Sequence, residues 1–349
     1  MITFPHVGAA GLSTAGRWVL SLRTTTWRAV PVSGAGVRRA LDLGSRSCGA
    51  VSAAALRAAG VSLDVADRQV RAGRWQRAAR GVYVLHDRPL GPEDLARAGH
   101  AYARAPCVVT GLIAAHLLGL RWLPPAERVH VLVDDPLRRP SSGRVQVTRA
   151  AVLSEVPRWS WSGIAVAAPE RAVVDAALAC TRLRDARGVV LGAVQDGWAD
   201  PAELSVVLAA RRRNGSALVR RALVDAVRGC ASPPEAELVD ALVGCGRPFL
   251  ANPDVFRDGR YLGRPDVWLL GTDVGAEVDS VERHGSLDDT ESTYDRHERF
   301  GGGGLELVHL SVRRVRQDPG AAAAHLLARG TGRLAPPGLV VRPHGSVLC

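Results

Sequence analysis

Around Gly271-Thr272-Asp273 the chain reads Arg264-Pro265-Asp266-Val267-Trp268-Leu269-Leu270 on one side and Gly275-Ala276-Glu277-Val278-Asp279 on the other. Strand-forming residues on both sides of a short, glycine-containing link predict a hairpin. Side chains along a strand alternate between its two faces, so Glu277 and Asp279 share a face, and pairing puts Asp266 approximately opposite Glu277. Three carboxylates gathered in this way repel one another unless something offsets their charge. A hard cation with oxygen ligands does so, and Mg²⁺ (or Mn²⁺) is the expectation at Asp266, Glu277 and Asp279. The competing reading turns one or more of these acids to solvent, paired with Arg264, Arg283 or Arg296.

Residues 251 to 300 hold twelve acids and six arginines, although the whole chain of 349 residues carries a net charge of +11. That overall balance favours an anionic partner such as nucleic acid. All 45 basic residues are arginine, so lysine-dependent phosphate loops, Schiff-base enzymes and lysine-dependent ligases are excluded. The six cysteines are scattered without a C-x-x-C pair, which argues against a zinc site and for reduced thiols in a cytoplasmic protein. No uncharged run exceeds the sixteen residues of Ala105 to Leu120, fewer than the roughly 20 apolar residues of a membrane span. The partner expected is therefore DNA, with no membrane and no small-molecule cofactor.

Residues 1 to 44 read as a basic, loose extension, the alternative for such an acid-poor, Ser/Thr-containing segment being a transit peptide. From Ser45, Val51, Ala55, Leu56 and Ala59 repeat at helical spacing up to Gly60, and Ser62 caps a second helix carrying Val65 and Val70. Helix, glycine turn, helix is the helix-turn-helix order, and Gly81 followed by Val82-Tyr83-Val84 suits a hairpin wing, giving a unit over residues 45 to 90. Arg68, Arg71, Arg74, Arg77 and Arg80 recur at every third position, a row suited to phosphates; the plainer alternative is a solvated charged face.

Residues 91 to 228 read as a middle α/β domain with a basic helical connector. Within it Pro106 to Leu120 reads as a buried helix, residues 129 to 133 and 145 to 147 as strands, and Arg171 and Asp175 as an exposed i,i+4 ion pair. Six arginines between residues 201 and 230 belong either to the connector or to a nucleic-acid surface. Ser232-Pro233-Pro234-Glu235 forms a capping box that opens a final domain over residues 229 to 335, followed by a tail from 336 to 349.

From Ser232 to about Ala328 the chain resembles the Vsr-like (very-short-patch-repair) endonucleases of the PD-(D/E)XK superfamily: Ser-Pro-Pro-Glu at 232 to 235, Pro265-Asp266, Glu277-Val278-Asp279-Ser280, His284, Tyr294-Asp295-Arg296, and the strand Leu305 to Leu310. The resemblance implies a restriction-endonuclease-like α/β/α core and Mg²⁺-dependent phosphodiester cleavage, with Asp266 and Glu277 as the metal-binding acids. Asp279 falls where the superfamily name writes lysine, Glu235 matches the helix acid, and His284 is a candidate general base or phosphate ligand. Glu235 equally reads as a capping residue. Arg71 to Val84, Thr110 to Leu120 and Pro169 to Ala177 are similar to AbiEi-type antitoxins of type IV abortive infection, which implies DNA binding through a winged helix and leaves a toxin partner open. The expected fold is thus α/β multidomain, with an N-terminal winged helix-turn-helix, a small α/β middle domain and a C-terminal nuclease-type domain. The expected function is a DNA-binding endonuclease; the alternative is an antitoxin-like regulator with an inert nuclease-like domain.

Overall fold

A computed structural model describes residues 35–46, 49–134, 139–211, 215–279 and 298–344. It is a mixed α/β protein with several sheets. Two compact units are present. One comprises the described residues up to Gly119 together with Pro125–Asp175, and the other comprises Leu120–Pro124 and the described residues from Ala176 onward.

The first unit opens with α1 (Ala35–Arg46), β1 (Ala50–Ser52), α2 (Ala53–Ala58), α3 (Leu63–Arg71), β2 (Gln76–Ala79) and β3 (Val82–Val84). Helix α1 begins inside the segment expected to be a loose extension. It forms because Val37 and Ala40 are buried against Leu56, Ala66, Trp75 and Tyr83, and such an apolar stripe is what holds a short helix in place. Val51, which fits the helical spacing of its neighbours, lies instead in β1, paired with Tyr83. The Ser52 and Ser62 hydroxyls accept the Ala55 and Asp64 amides at 3.2 Å each, so α2 and α3 start where the caps fall; each cap contributes about 1 kcal/mol. Gly81 turns the β2–β3 hairpin at φ +70°, a conformation that favours glycine.

The same unit continues through α4 (Pro92–Ala103), β4 (Cys107–Thr110), α5 (Gly111–Leu118), β5 (Val129–Asp134), β6 (Val145–Ala150), β7 (Arg158–Trp161), β8 (Ile164–Ala167) and α6 (Pro169–Leu178) as far as Asp175. Its five strands run in the order β6-β5-β4-β8-β7. The run Pro106 to Leu120 therefore splits into a strand and a helix. All four residues of β4 are buried, and a continuous apolar run of that length carries no period to tell strand from helix. Arg171 and Asp175 do pair, at 2.7 Å, but not at the surface. Asp175 is 5% exposed and also accepts the Thr110 hydroxyl at 2.8 Å, a long-range partner that helix spacing does not reveal.

The second unit contains α7 (Leu183–Gln195), α8 (Pro201–Ala209), α9 (Ala217–Val227), α10 (Pro233–Val243), β9 (Phe249–Ala251), β10 (Asp254–Arg257), β11 (Arg260–Gly263), β12 (Val267–Leu269), β13 (Val274–Asp279), β14 (Glu306–Ser311), α11 (Val312–Gln317), α12 (Pro319–Arg329) and β15 (Leu339–Arg342). The basic connector joins this unit, where its Arg221 binds Asp240 of α10. Arg187 of α7 reaches Asp225 of α9 at 2.8 Å and the same Asp240 at 2.5 Å. Residues 339–342, expected within a tail, pair with β10 as an edge strand.

The main sheet of this unit has the order β14-β13-β12-β9, with β13 and β14 parallel and the other pairs antiparallel. Both of its faces are covered. Leu269 lies on the side of α12, where a Cβ on Gly330 would come within 2.7 Å of it. Trp268 faces the opposite side, in a cluster with Val255, Leu262, Phe300 and Leu305. Gly275 lies across from Trp268, and a Cβ there would meet the indole at 2.4 Å. Only glycine fits beneath that ring.

Candidate functional site

The hairpin of β12 and β13 forms as its sequence predicts, and Thr272 ties its turn. The Thr272 hydroxyl donates to the Leu269 carbonyl at 2.8 Å and accepts the Val274 amide at 3.1 Å, while the Trp268 indole N–H donates to the Thr272 carbonyl at 3.2 Å. The paired residues are Val267 with Ala276 and Trp268 with Gly275, so one step further along the ladder Asp266 stands across from Glu277. Asp266 Oδ2 accepts the Val278 amide at 2.7 Å, which fixes this carboxylate at the mouth of the hairpin. Strand β14 adds a fourth polar group, for in its parallel register His309 neighbours Glu277.

Strand alternation then defines one face. Trp268, Gly275 and Leu307 form its apolar floor. Asp266, Glu277 and His309 form the next row, with Asp279 two residues beyond Glu277. Single ligand atoms of Glu277, Asp279 and His309 all lie within 4.8 Å of one another. Asp266 is not a member of that group. His309 Nδ1 meets Asp279 Oδ2 at 2.6 Å, and Glu277 is 7% exposed. Two carboxylates and an imidazole in this space form a donor set suited to a divalent cation.

Glu235 lies 3% exposed at the start of α10. Its oxygens accept the Ala231 amide at 2.7 Å and the Ser232 hydroxyl at 2.8 Å, so it acts as a capping residue here. His284, Ser280 and Tyr294-Asp295-Arg296 lie outside the described residues. Burial pushes the Cys107 and Cys180 thiols up to about 11 and the Cys230 thiol up to about 12, which makes them poor nucleophiles at neutral pH.

The five regularly spaced arginines are all exposed, but they are not equivalent. Arg74 Nε donates to Gln69 at 2.6 Å. Arg77 pairs with Asp67 at 2.5 Å and lies over the Tyr83 ring, 5.5 Å from its centroid. Arg71 Nε reaches only the Asp67 carbonyl, at 3.4 Å, and Arg68 points from the same helix. The hairpin end at Arg80 is covered within its own unit, where the Arg80 amide donates to the Ser142 hydroxyl and the Arg144 amide to the Ala78 carbonyl.

No protein-family model matches this chain, and no curated protein does. Three chains of solved structures match. Among them is the crystal structure of the RV2827C protein from Mycobacterium tuberculosis, 16% identical, matched over 58% of this chain and 80% of that one with a TM-score of 0.37. Among the described residues no helix is long and apolar enough to cross a membrane.

Two sets of residues escaped the sequence reading. His309 lies 30 positions from Asp279 in the chain, and the only signal for it is its place in the alternating strand Leu305 to Leu310. Arg313, Arg314 and Arg316 are exposed on α11, which starts immediately after Ser311, the register partner of Asp279. A basic run directly following a strand beside the acids is the pattern that marks them.

Proposed function

We propose that this chain is a cytoplasmic DNA-binding protein whose C-terminal segment is a divalent-metal-dependent endonuclease-type domain, and that residues 45 to 90 are a winged helix-turn-helix. The observation that carries the reading is the row of Asp266, Glu277 and His309 across three adjacent strands, with Asp279 on the same face. Glu277 and Asp279 would hold Mg²⁺ or Mn²⁺ through carboxylate oxygens, with Asp266 steadied beside them by the Val278 amide. Such an ion supplies a water of lowered pKa and screens the charge that builds on a phosphate in the transition state. The protein's own part is to seat the substrate. Arg313, Arg314 and Arg316 stand at the edge of the acidic row to take backbone phosphates, and Arg68 and Arg71 offer a second phosphate-binding face on α3.

The test is nicking of supercoiled DNA with Mg²⁺ or Mn²⁺. Wild-type protein is expected to cut, and Glu277→Gln to lose at least about 100-fold in rate, equivalent to several kcal/mol of transition-state stabilisation. Undiminished cutting by the variant ends the assignment.

One observation favours a second reading, an antitoxin-like transcriptional regulator with an inert nuclease-like domain. Asp279 replaces the lysine of the superfamily pattern and its carboxylate is engaged by His309. That protein would bind its operator without a metal, and loss of Arg68 or Arg71 would lower the salt dependence of binding by about one unit of slope each.

A further inference from the structure

We infer that His309 is a nitrogen ligand of the divalent ion held by Glu277 and Asp279, so that the site takes first-row transition cations, with Mn²⁺ as the probe, in preference to Mg²⁺. The inference rests on the metal-dependent reading above and says which ion that site selects.

The register places the imidazole. Strand β14 lies parallel to β13 with His309 beside Glu277, and neighbouring strands run about 4.8 Å apart, so side chains on one face meet above the sheet. The measured group agrees, with one atom each from Glu277, Asp279 and His309 inside 4.8 Å. Ligands on opposite sides of one ion, each bonded at roughly 2.0 to 2.3 Å, stand about 4.0 to 4.6 Å apart, so these three atoms need to shift by only a few tenths of an ångström to share an ion. His309 Nδ1 already stands 2.6 Å from Asp279 Oδ2, so this nitrogen and a carboxylate oxygen face the same space, and an ion entering it takes the place of their hydrogen bond.

Donor chemistry supplies the selectivity. Mg²⁺ is a hard ion that binds one or two carboxylates and keeps its waters, whereas imidazole is a ligand of the transition metals. Replacing an oxygen ligand by His309 therefore favours Mn²⁺ and weakens the advantage of Mg²⁺.

Calorimetric titration of the full chain with MnCl₂ and MgCl₂ tests this. Wild type is expected to bind Mn²⁺ at least about tenfold more tightly than Mg²⁺. His309→Gln is expected to lose about 10- to 100-fold in Mn²⁺ affinity while its Mg²⁺ affinity changes by less than about threefold. Equal Mn²⁺ affinity in wild type and variant overturns the inference and leaves the endonuclease reading standing; failure of wild type to bind either ion removes both. Pulsed electron paramagnetic resonance of Mn²⁺ on wild-type protein gives an answer that needs no variant. Nitrogen hyperfine coupling from a bound imidazole is expected, and its absence overturns the proposal.

Discussion

The parallel pair β13–β14 carries acids at both of its ends, and the two ends treat them differently. Where the strands begin, Arg333 clasps Asp273 with two nitrogens, at 2.7 and 2.6 Å, and also binds Glu306, which Arg329 meets as well. Where β13 ends, Asp279 meets an imidazole and Asp266 a main-chain amide. Guanidinium clasps neutralise carboxylates and fix them geometrically. At the other end the donors remain the kind that receive a metal ion. The same two strands thus place structural charge at one end and charge suited to chemistry at the other.

The buried counterpart of the clasped end is Arg187, 3% exposed and bound to Asp225, which is fully buried. Removing Arg187 leaves the buried Asp225 with only the longer contacts to Arg221 and Arg228, at 3.6 and 3.9 Å, so Arg187→Ala is expected to cost about 3 kcal/mol in denaturant unfolding. A loss under about 1 kcal/mol would mean that water reaches Asp225 and that the clasp carries little of the fold. At the partly exposed end of β13, Arg333→Ala is expected to cost about 1 kcal/mol, less at high salt. Glu277→Gln, which relieves repulsion among the acids, should stay within about 1 kcal/mol of wild type in either direction. If Glu277→Gln destabilises more than Arg333→Ala, the contrast between the two ends fails and the acidic end is also structural.

Much of this arrangement is legible in the amino-acid order, but not its closure. Alternation around Gly271-Thr272-Asp273 predicts the hairpin and the shared face of Glu277 and Asp279, because both depend on residues a few positions apart. Ser232 and Glu235 announce the start of α10 for the same reason. His309 is hidden because its place is set by parallel pairing of β14 after a long connection, and a lone histidine in a strand has no local signature. Asp175 illustrates the same limit in the first unit. Its i,i+4 partner Arg171 is visible in the sequence, whereas Thr110, 65 positions away, decides that the pair is buried. In β1 and β4 the apolar pattern is too short or too uniform to separate strand from helix, and tertiary pairing decides.

The smallest effect expected is a pH dependence. Hydrogen bonds from Arg333 hold the Asp273 carboxyl below its ordinary value, against the opposing effect of burial. A carboxyl that binds its proton less readily when folded than when unfolded adds stability above its unfolded pKa, near 3.9. That contribution disappears as the pH falls through the lower, folded value. Unfolding curves between about pH 5 and pH 2 should therefore be less steep in pH for Arg333→Ala than for wild type, while the curves converge in slope above about pH 5, where Asp273 is ionised in both states. Parallel curves across the acid range would show that Arg333 does not set the proton affinity of Asp273. The clasped end would then lose the electrostatic coupling that distinguishes it from the acidic face at the far end of the same strands.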